Sequence, residues 1–359
     1  MATTTGMQGG GAYDDASEYQ RKTAASDETR LRDAVAQVPM PDGAFTIVDY
    51  GAAEGRNSIH SVRTVVDAVR ERDPQAAVAC IHNDLLTNNW NGLFTNVASS
   101  PESYLTLDPK PAALAAAGSF FDEVVPPRTV QLGLSFSAAH WLREQPHMDV
   151  PGGIYFCEAT GAAHVALRTQ ATADWQRFLE CRAAELAPGG RLVVGCVGTQ
   201  VEADGTELVT ARELLQLMAA VADDLVQAGR LRADAVLGYV FPVYARTVAE
   251  AVAPVAGPNA PLADAFTVEV AETHAVPNPY YDRFRQDGDA AQYAHDYAAF
   301  VRAFSSSAIR DGLLAPGSTG EGADALVDAF YQGMEQRVAA APETGVFKDW
   351  TLSVVLARR

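Results

Sequence analysis

The sequence predicts an α/β protein: a doubly wound, mostly parallel sheet of Rossmann-like type with a helical cap. Two observations carry that expectation. Short, continuous apolar runs such as Phe45-Thr46-Ile47-Val48 recur through the first 200 residues, with helical or loop segments between them. A run without polar alternation suits a strand covered on both faces by helices, the habit of parallel sheets. Beyond about residue 200 the texture changes to helical stretches separated by Pro/Gly loops, of which 253–258 (Ala-Pro-Val-Ala-Gly-Pro) is one.

The elements follow in order. Residues 1–20 are rich in Gly, Ser and Asp and show no apolar period, whereas 23–38 reads as a helix stopped by the Pro39-Met40-Pro41-Asp42-Gly43 turn. Strand 45–49 and loop 50–55 precede a helix over 58–72, which gathers Ile59, Val62, Val66 and Val69 on one face. A second strand, 76–81, ends in His82-Asn83-Asp84-Leu85. A strand–helix–strand succession of this kind winds right-handed into a parallel sheet. A strand over 130–136, a helix over 174–186, a stop at Ala187-Pro188-Gly189-Gly190 and a strand over 191–197 continue the alternation. Phe266 to Val270 and Thr351 to Leu356 alternate as edge strands do, and are expected to pair antiparallel on the same sheet. The expected division is a core of residues 1–200, its sheet completed by about 264–272 and 346–359, under a cap of 201–345. Pro277-Asn278-Pro279-Tyr280-Tyr281 reads as an exposed loop.

Composition narrows the function. The chain has 359 residues, 27 basic and 45 acidic, so its net charge is 27 − 45 = −18. Such a charge repels phosphate backbones, so nucleic acid is not an expected partner. At 48% hydrophobic and 20% charged the chain is globular. No apolar run approaches the roughly 18 residues of a bilayer span, so no stable membrane anchor is expected. The first ten residues lack a basic flank and an apolar segment, and a cytoplasmic protein is the expectation. Cys80, Cys157, Cys181 and Cys196 form no Cys-x-x-Cys pair and have no His at ligand spacing, so they read as reduced structural thiols with no metal site. Lys22, Lys110 and Lys348 are the only lysines among the basic residues, a codon signature of a GC-rich bacterial genome.

Ligands of open α/β sheets bind at the carboxyl ends of the strands. The first strand ends in Asp49-Tyr50-Gly51-Ala52-Ala53-Glu54-Gly55, which lacks the Gly-x-Gly-x-x-Gly spacing of a dinucleotide site and disfavours a nicotinamide dehydrogenase. An Asp-x-Gly loop suits a ligand with an amino acid moiety, whose ammonium meets Asp49 and whose carboxylate meets loop amides. S-adenosylmethionine is such a ligand; the alternative is a structural turn. Asp84 can accept the two hydroxyls of a ribose, or serve as a turn residue. Glu54 reads as a turn charge.

Two segments then carry a family resemblance. Tyr13-x-x-x-Ser17-x-x-Gln20-Arg21-Lys22 and Ser135-Phe136-Ser137-Ala138-Ala139-His140-Trp141-Leu142 resemble the SABATH methyltransferases, which act on carboxylates and xanthines with S-adenosylmethionine. The likeness runs nearly the whole chain, through Gly55-x-Asn57-Ser58, Asn83-Asp84-Leu85, Gly118-Ser119-Phe120, Gly153-Ile154-Tyr155 and Phe241-Pro242-x-Tyr244. It implies that Tyr13, Ser17, Asp49, Gly51, Asn57, Asp84, Leu85, Ser119 and Phe120 line the cofactor. Asp84 would hold the ribose, and Ser119 with Phe120 the adenine. It further implies that Gln20 and Trp141 hold the substrate carboxylate. The family's Gly-Cys-Ser-Ser-Gly loop is Gly51-Ala52-Ala53-Glu54-Gly55 here, and an aromatic often found four before Trp141 is Ser137, which widens the pocket. Members commonly form homodimers, an option these residues leave open.

A carboxylic acid is ionised at pH 7, with a pKa of about 4 to 5, so its attack on a sulfonium methyl needs alignment and no general base. Neutral donors such as the Gln20 amide and Trp141 indole supply that alignment. His140 beside them either orients the carboxylate or packs structurally. Retention of Gln20 and Trp141 points to a carboxylate substrate over a purine. Small Ser137, Ala138 and Ala139 lean towards an aliphatic tail running into the cap, where Leu214-Leu215-Gln216-Leu217-Met218 and Ala298-Ala299-Phe300-Val301 form either a tunnel or plain helix core. A fatty acid is thus the expected substrate, with an aromatic carboxylate as the alternative. A non-catalytic S-adenosylmethionine-binding interaction protein is the reading from another class.

Overall fold

A computed structural model describes residues 28–359. Helix α1 (Glu28–Gln37) leads into β1 (Phe45–Tyr50), α2 (Arg56–Arg72), β2 (Val78–Asp84), α3 (Trp90–Ser99), β3 (Ala112–Ala117) and β4 (Val130–Phe136). Then come α4 (Gly161–Glu185), β5 (Leu186–Val197), the short pair β6 (Thr199–Val201) and β7 (Glu207–Val209), α5 (Arg212–Gln227), α6 (Ala233–Leu237) and α7 (Val248–Val252). Strand β8 (Phe266–Val276), α8 (Pro279–Asp287), α9 (Ala290–Ile309), α10 (Ala323–Ala340) and β9 (Asp349–Arg358) complete the described residues.

Seven strands form one sheet in the order β3-β2-β1-β4-β5-β9-β8. The first five run parallel, and β9 pairs antiparallel with both β5 and β8. The segments near residues 266 and 351 are therefore antiparallel neighbours in one sheet, as expected, but only β8 is an edge: β9 lies between β5 and β8, and its residues 351–356 are buried throughout, as an internal strand covered on both faces must be. From β1 the chain winds outward through β2 and β3, then returns to β4 on the other side. The order reverses between β1 and β4, and a crevice opens there at the carboxyl ends of the strands.

Burial explains the layers. Strand β1 hides five of its six residues, including Phe45, Ile47 and Val48, as a doubly covered strand must. One apolar cluster joins α1, α2 and α3 to one face of the sheet through Leu31, Val35, Val62, Val66 and Leu93. Another joins α4 and α7 to the other face through Trp175, Phe178, Leu179 and Ala251. A third lies among α5, α8, α9 and α10 and the loops facing them, and contains Leu215, Met218, Tyr297, Phe330 and Met334.

Several elements depart from the sequence reading. Strand β3, Ala-Ala-Leu-Ala-Ala-Ala, carries no strand signal, since alanine favours helix; the exposed edge beside β2 overrides that propensity. Helix α4 is 25 residues long and begins at Gly161, well before residue 174. The helix does end at Glu185, just before Ala187-Pro188-Gly189-Gly190 as expected, but this segment is no turn ahead of β5. It lies within that strand, where the register against β4 shifts between Val130 and Leu132. Tyr280 and Tyr281 stand in no exposed loop: the Asn278 side chain accepts the amides of both, caps α8, and sends Tyr280 into the core at 6% exposure.

Candidate active site

The end of β1 is a tight backbone device. Gly51 has φ +90°, and a Cβ there would stand 2.3 Å from Cβ of Ala138, so glycine is required twice over. The amides of Gly51 and Ala52 both donate to the Asn83 carbonyl at 2.9 Å. Asn88 donates to the Ala53 carbonyl at 2.7 Å, and Asn96 to that of Glu54 at 2.8 Å. Glu54 is no surface charge: it is 4% exposed and accepts from the Asn89 amide at 2.5 Å.

Asp49 is 5% exposed at the sheet's reversal point, and its Oδ2 accepts no hydrogen bond among the described residues. His82 Nδ1 lies 3.7 Å away, but that ring already meets Ser58 Oγ at 3.0 Å and the Tyr104 hydroxyl at 2.8 Å. A buried carboxylate oxygen without a donor is unfavourable unless a ligand provides one. Asp84, at the end of β2, accepts the Ala53 amide on Oδ2 at 2.8 Å and the Leu85 amide on Oδ1 at 2.7 Å. Burial pushes its carboxyl above the ordinary range, against the pull of those two amides. Each oxygen keeps capacity for a further donor.

The loop after β3 closes the same crevice. Asn83 donates to the carbonyls of Ala116 and Gly118 at 2.8 and 2.9 Å, and the Phe121 amide donates to Ser119 Oγ at 3.2 Å. The Phe120 ring stands 3.7 Å from where a Cβ on Gly51 would lie, so the loops after β1, β3 and β4 converge. Arg182 is fully buried and donates to the carbonyls of Phe120 and Asp122 at 2.8 and 2.9 Å. Its Nε meets Glu185 at 2.8 Å, and Glu185 also accepts the Tyr50 hydroxyl at 2.7 Å. This buried pair shapes the Phe120 loop, yet a single Arg-x-x-Glu on a helix carries no signal for it in sequence.

A second half begins where β4 ends. Ser137 has φ +53° and donates its amide to the Gly195 carbonyl at 2.8 Å. Ser137, His140 and Trp141 line a cavity of about 100 Å³ together with Tyr155, Val197, Thr210, Leu214, Leu215, Phe241, Phe300, Phe304, Phe347 and Asp349. Trp141 packs on Phe241 with ring centroids 5.6 Å apart. His140 is 7% exposed, and its Nδ1 has no partner among the described residues. Burial and the Arg246 guanidinium lower its pKa to about 3, so the ring is neutral at working pH. Arg246 in turn donates to the carbonyls of Ala139 and Ala171 at 3.0 Å and fixes the turn below His140. Among the described residues, three of the four non-glycine residues with positive φ are Ala53, Ser137 and Ala211, all at these two sites.

The structure therefore brings Asp49, Gly51, Asp84, Leu85, Ser119 and Phe120 to one crevice, and Ser137, His140 and Trp141 to the adjoining cavity. Asn57 lies in the first turn of α2. Tyr13, Ser17 and Gln20 lie outside the described residues, as does the side chain of Asn57. Of the two apolar stretches in the helical layer, Leu214, Leu215 and Phe300 face the cavity while Leu217, Met218 and Val301 are core. Tyr155, Thr210 and Asp349 were not singled out as site residues from sequence, because nothing local marks which loops fold over the strand ends. All four cysteines are free thiols, and burial pushes Cys157 up to about 12. Among the described residues no three His, Cys, Asp or Glu side chains are grouped to hold a metal, and no helix is long and apolar enough to cross a membrane.

The model of the SAM-dependent carboxyl methyltransferases matches residues 2–359. The chain belongs to that family, the SABATH enzymes. It is thus an S-adenosylmethionine-dependent carboxyl methyltransferase with a class I, Rossmann-like fold. Among similar proteins, an O-methyltransferase, acrG, of Aspergillus aculeatus is 28% identical over 287 residues, covering 75% of this chain and 73% of that one. Indole-3-acetate O-methyltransferase 1 of Arabidopsis thaliana is 27% identical over 270 residues, covering 68% of this methyltransferase and 70% of that one. A solved loganic acid methyltransferase with S-adenosylhomocysteine shares the fold, at a TM-score of 0.78 and 21% identity, over 98% of both chains.

Proposed function

We propose that this methyltransferase esterifies a small or medium free acid, of which an aliphatic, fatty acid is the leading candidate, and that it does so without a general base. In this reading residues 1–200 form the cofactor-binding core, completed by the two edge strands, and 201–345 the cap over the substrate. The crevice fits the cofactor. The donorless Oδ2 of Asp49 suits an ammonium, the paired oxygens of Asp84 suit ribose hydroxyls, and the Phe120 ring offers a face for adenine, with Ser119 beside it. Gly51 lets the loops after β1 and β4 approach closely, while Leu85 and the expected contacts of Tyr13, Ser17 and Asn57 complete the enclosure.

S-adenosylmethionine supplies a methyl group already activated on a sulfonium, which an ionised carboxylate displaces in line. The protein's work is alignment. Trp141 and Gln20 are assigned as neutral donors that aim the carboxylate, with His140 as a third, neutral orienting group. Because an anion and a cation become two neutral products, an apolar cavity with few donors favours the transition state over the ground state. The burial of His140 beside the Arg246 guanidinium is the single observation that carries the base-free reading: lost solvation and a neighbouring positive charge both oppose a proton on the ring, which makes it a poor proton acceptor at neutral pH.

The aliphatic preference rests on the cavity wall beyond Ser137, where Leu214, Leu215, Val197 and Val243 offer apolar surface without a fixed plane. A second reading, an aromatic acid, is favoured by the rings of Phe241, Phe300, Phe304 and Phe347 in the same wall and by the relatives named for indole-3-acetate. Methyl transfer from labelled S-adenosylmethionine, run against straight-chain acids of graded length, benzoate, salicylate and indole acetate, with xanthine as control, separates the two. A maximum among aliphatic acids supports the first reading. Activity confined to aromatic acids keeps the mechanism and replaces the substrate, and silence on every acid rejects the carboxylate assignment.

A further inference from the structure

Strand register sets an imidazole beside the carboxylate oxygen proposed for the cofactor's ammonium. Asp49 on β1 pairs with His82 on β2, and neighbouring strands lie about 4.8 Å apart, so the two side chains share one face of the sheet. His82 Nδ1 comes within 3.7 Å of Asp49 Oδ2, an oxygen that accepts no hydrogen bond among the described residues. A shift of about 0.8 Å would bring the pair to the usual N–H···O length of about 2.9 Å. Such a bond, to a charged acceptor, is about twice as strong as a neutral one. The ring is nevertheless held elsewhere. Ser58 Oγ, in the first turn of α2, meets Nδ1 at 3.0 Å, and the Tyr104 hydroxyl, in the short turn Tyr104–Thr106, meets Nε2 at 2.8 Å. The Phe94 ring of α3 stands edge-on to the imidazole, with centroids 6.4 Å apart. His82 and Tyr104 are fully buried and Ser58 nearly so, which keeps these contacts away from solvent. A hydroxyl either donates or accepts, so two of them satisfy a neutral ring in either tautomer. Both ring nitrogens are spent, and Asp49 Oδ2 is left over.

Two donors can therefore compete for one acceptor: the ring N–H from inside the fold and the ammonium from the crevice. A buried oxygen without a donor is unfavourable in the free protein and becomes useful once a ligand supplies one. We propose that Ser58 is a positioning residue for the cofactor: by engaging Nδ1 it holds His82 off Asp49 and reserves Oδ2 for the ammonium. Tyr104 anchors the far side of the ring. This rests on the assignment of Asp49 to that ammonium and adds the device that keeps the carboxylate available.

The test compares two ligands by calorimetry. S-adenosylhomocysteine carries the ammonium, whereas 5′-methylthioadenosine keeps the adenosine and the sulfur but ends in a methyl. Ser58→Ala frees the ring to turn to Asp49 and should weaken S-adenosylhomocysteine binding by about 10-fold or more, the loss of one charge-assisted bond. Binding of 5′-methylthioadenosine, which makes no use of Oδ2, should stay within about 2-fold of wild type. Ser58→Thr, which keeps the hydroxyl, should bind both ligands as the wild type does. Ser58→Ala/His82→Phe removes the competing N–H and should recover most of the lost affinity. A merely structural Ser58 would show no such recovery, since the second change removes further hydrogen bonds. Equal losses for the two ligands, no loss in Ser58→Ala, or no recovery in the double variant would overturn the proposal. Asp49→Asn separates this failure from that of the assignment beneath it. A selective loss of S-adenosylhomocysteine there upholds the ammonium site, and an unchanged ratio of the two dissociation constants sinks the site and this inference together.

Discussion

Replacing His140 by Gln tests the base-free mechanism through stability as well as rate. In the fold the ring is buried beside Arg246 with a pKa near 3, whereas an unfolded histidine titrates near 6.5. Below pH 6.5 the unfolded chain therefore binds a proton that the native protein refuses, and stability falls as pH falls until about pH 3. Lowering pH from 7 to 5 costs about 2 kcal/mol through this one group, taking the 1.36 kcal/mol carried by each pH unit. Urea unfolding of both proteins at the two pH values measures it. The wild type should lose about 2 kcal/mol more than His140→Gln on acidification, with other titrating groups cancelling in the difference. Identical losses in the two proteins would mean that the ring titrates freely and would refute the electrostatic argument. The same argument predicts a kcat nearly flat from about pH 6.5 to 9, and a limb near pH 6.5 that vanishes in His140→Gln would restore the ring as a base.

Three further expectations follow from the site. Gly51→Ala places a methyl 2.3 Å from Ala138 at φ +90° and should destabilise the protein by about 1–3 kcal/mol, whereas Gly43→Ala, with nothing within 4 Å, should be near neutral; equal melting temperatures for the two would contradict the close approach. Asp84→Ala leaves the Ala53 and Leu85 amides without acceptors and should weaken S-adenosylmethionine binding by about 10- to 100-fold in calorimetry, a reading that an unchanged Kd rejects. Arg182→Met strands the buried Glu185 and should lose about 3–5 kcal/mol, part of it recovered in Arg182→Met/Glu185→Gln; a single variant within 1 kcal/mol of wild type would show the pair to be dispensable.

What the sequence shows and what it hides divide along a physical line. Strands β1 and β2 and helix α2 are legible because an apolar run or a 3.6-residue stripe records local burial, and the Asp49 and Asp84 positions follow from where those runs end. The antiparallel pairing of β8 with β9 is legible too, though the reading of β9 as an edge is not borne out. Strand β3 is hidden because five alanines and one leucine at a sheet edge record nothing of their partner. The substrate side is hidden more deeply: Tyr155, Thr210, Phe300, Phe347 and Asp349 come from four separate stretches, and only tertiary packing tells which of many buried aromatics face a cavity. Arg182 illustrates the same limit. Its helical period marks it as a core-facing position, where an unpaired charge is forbidden, but the Phe120 and Asp122 carbonyls that satisfy it lie some 60 residues away.

The insertion of β9 between β5 and β8 orders the assembly of the site in time. The described groups proposed for the cofactor side come from residues up to 185, and they are brought together by the parallel strands of the first half of the chain. The cavity needs Phe300, Phe347 and Asp349, and Asp349 is placed only when β9 docks on β5, some 150 residues back along the chain. Long-range pairings of this kind close late. A chain emerging from the ribosome can therefore present the crevice proposed for the cofactor well before it has any place to put an acid, so methyl transfer waits on the closure of the sheet's last internal strand.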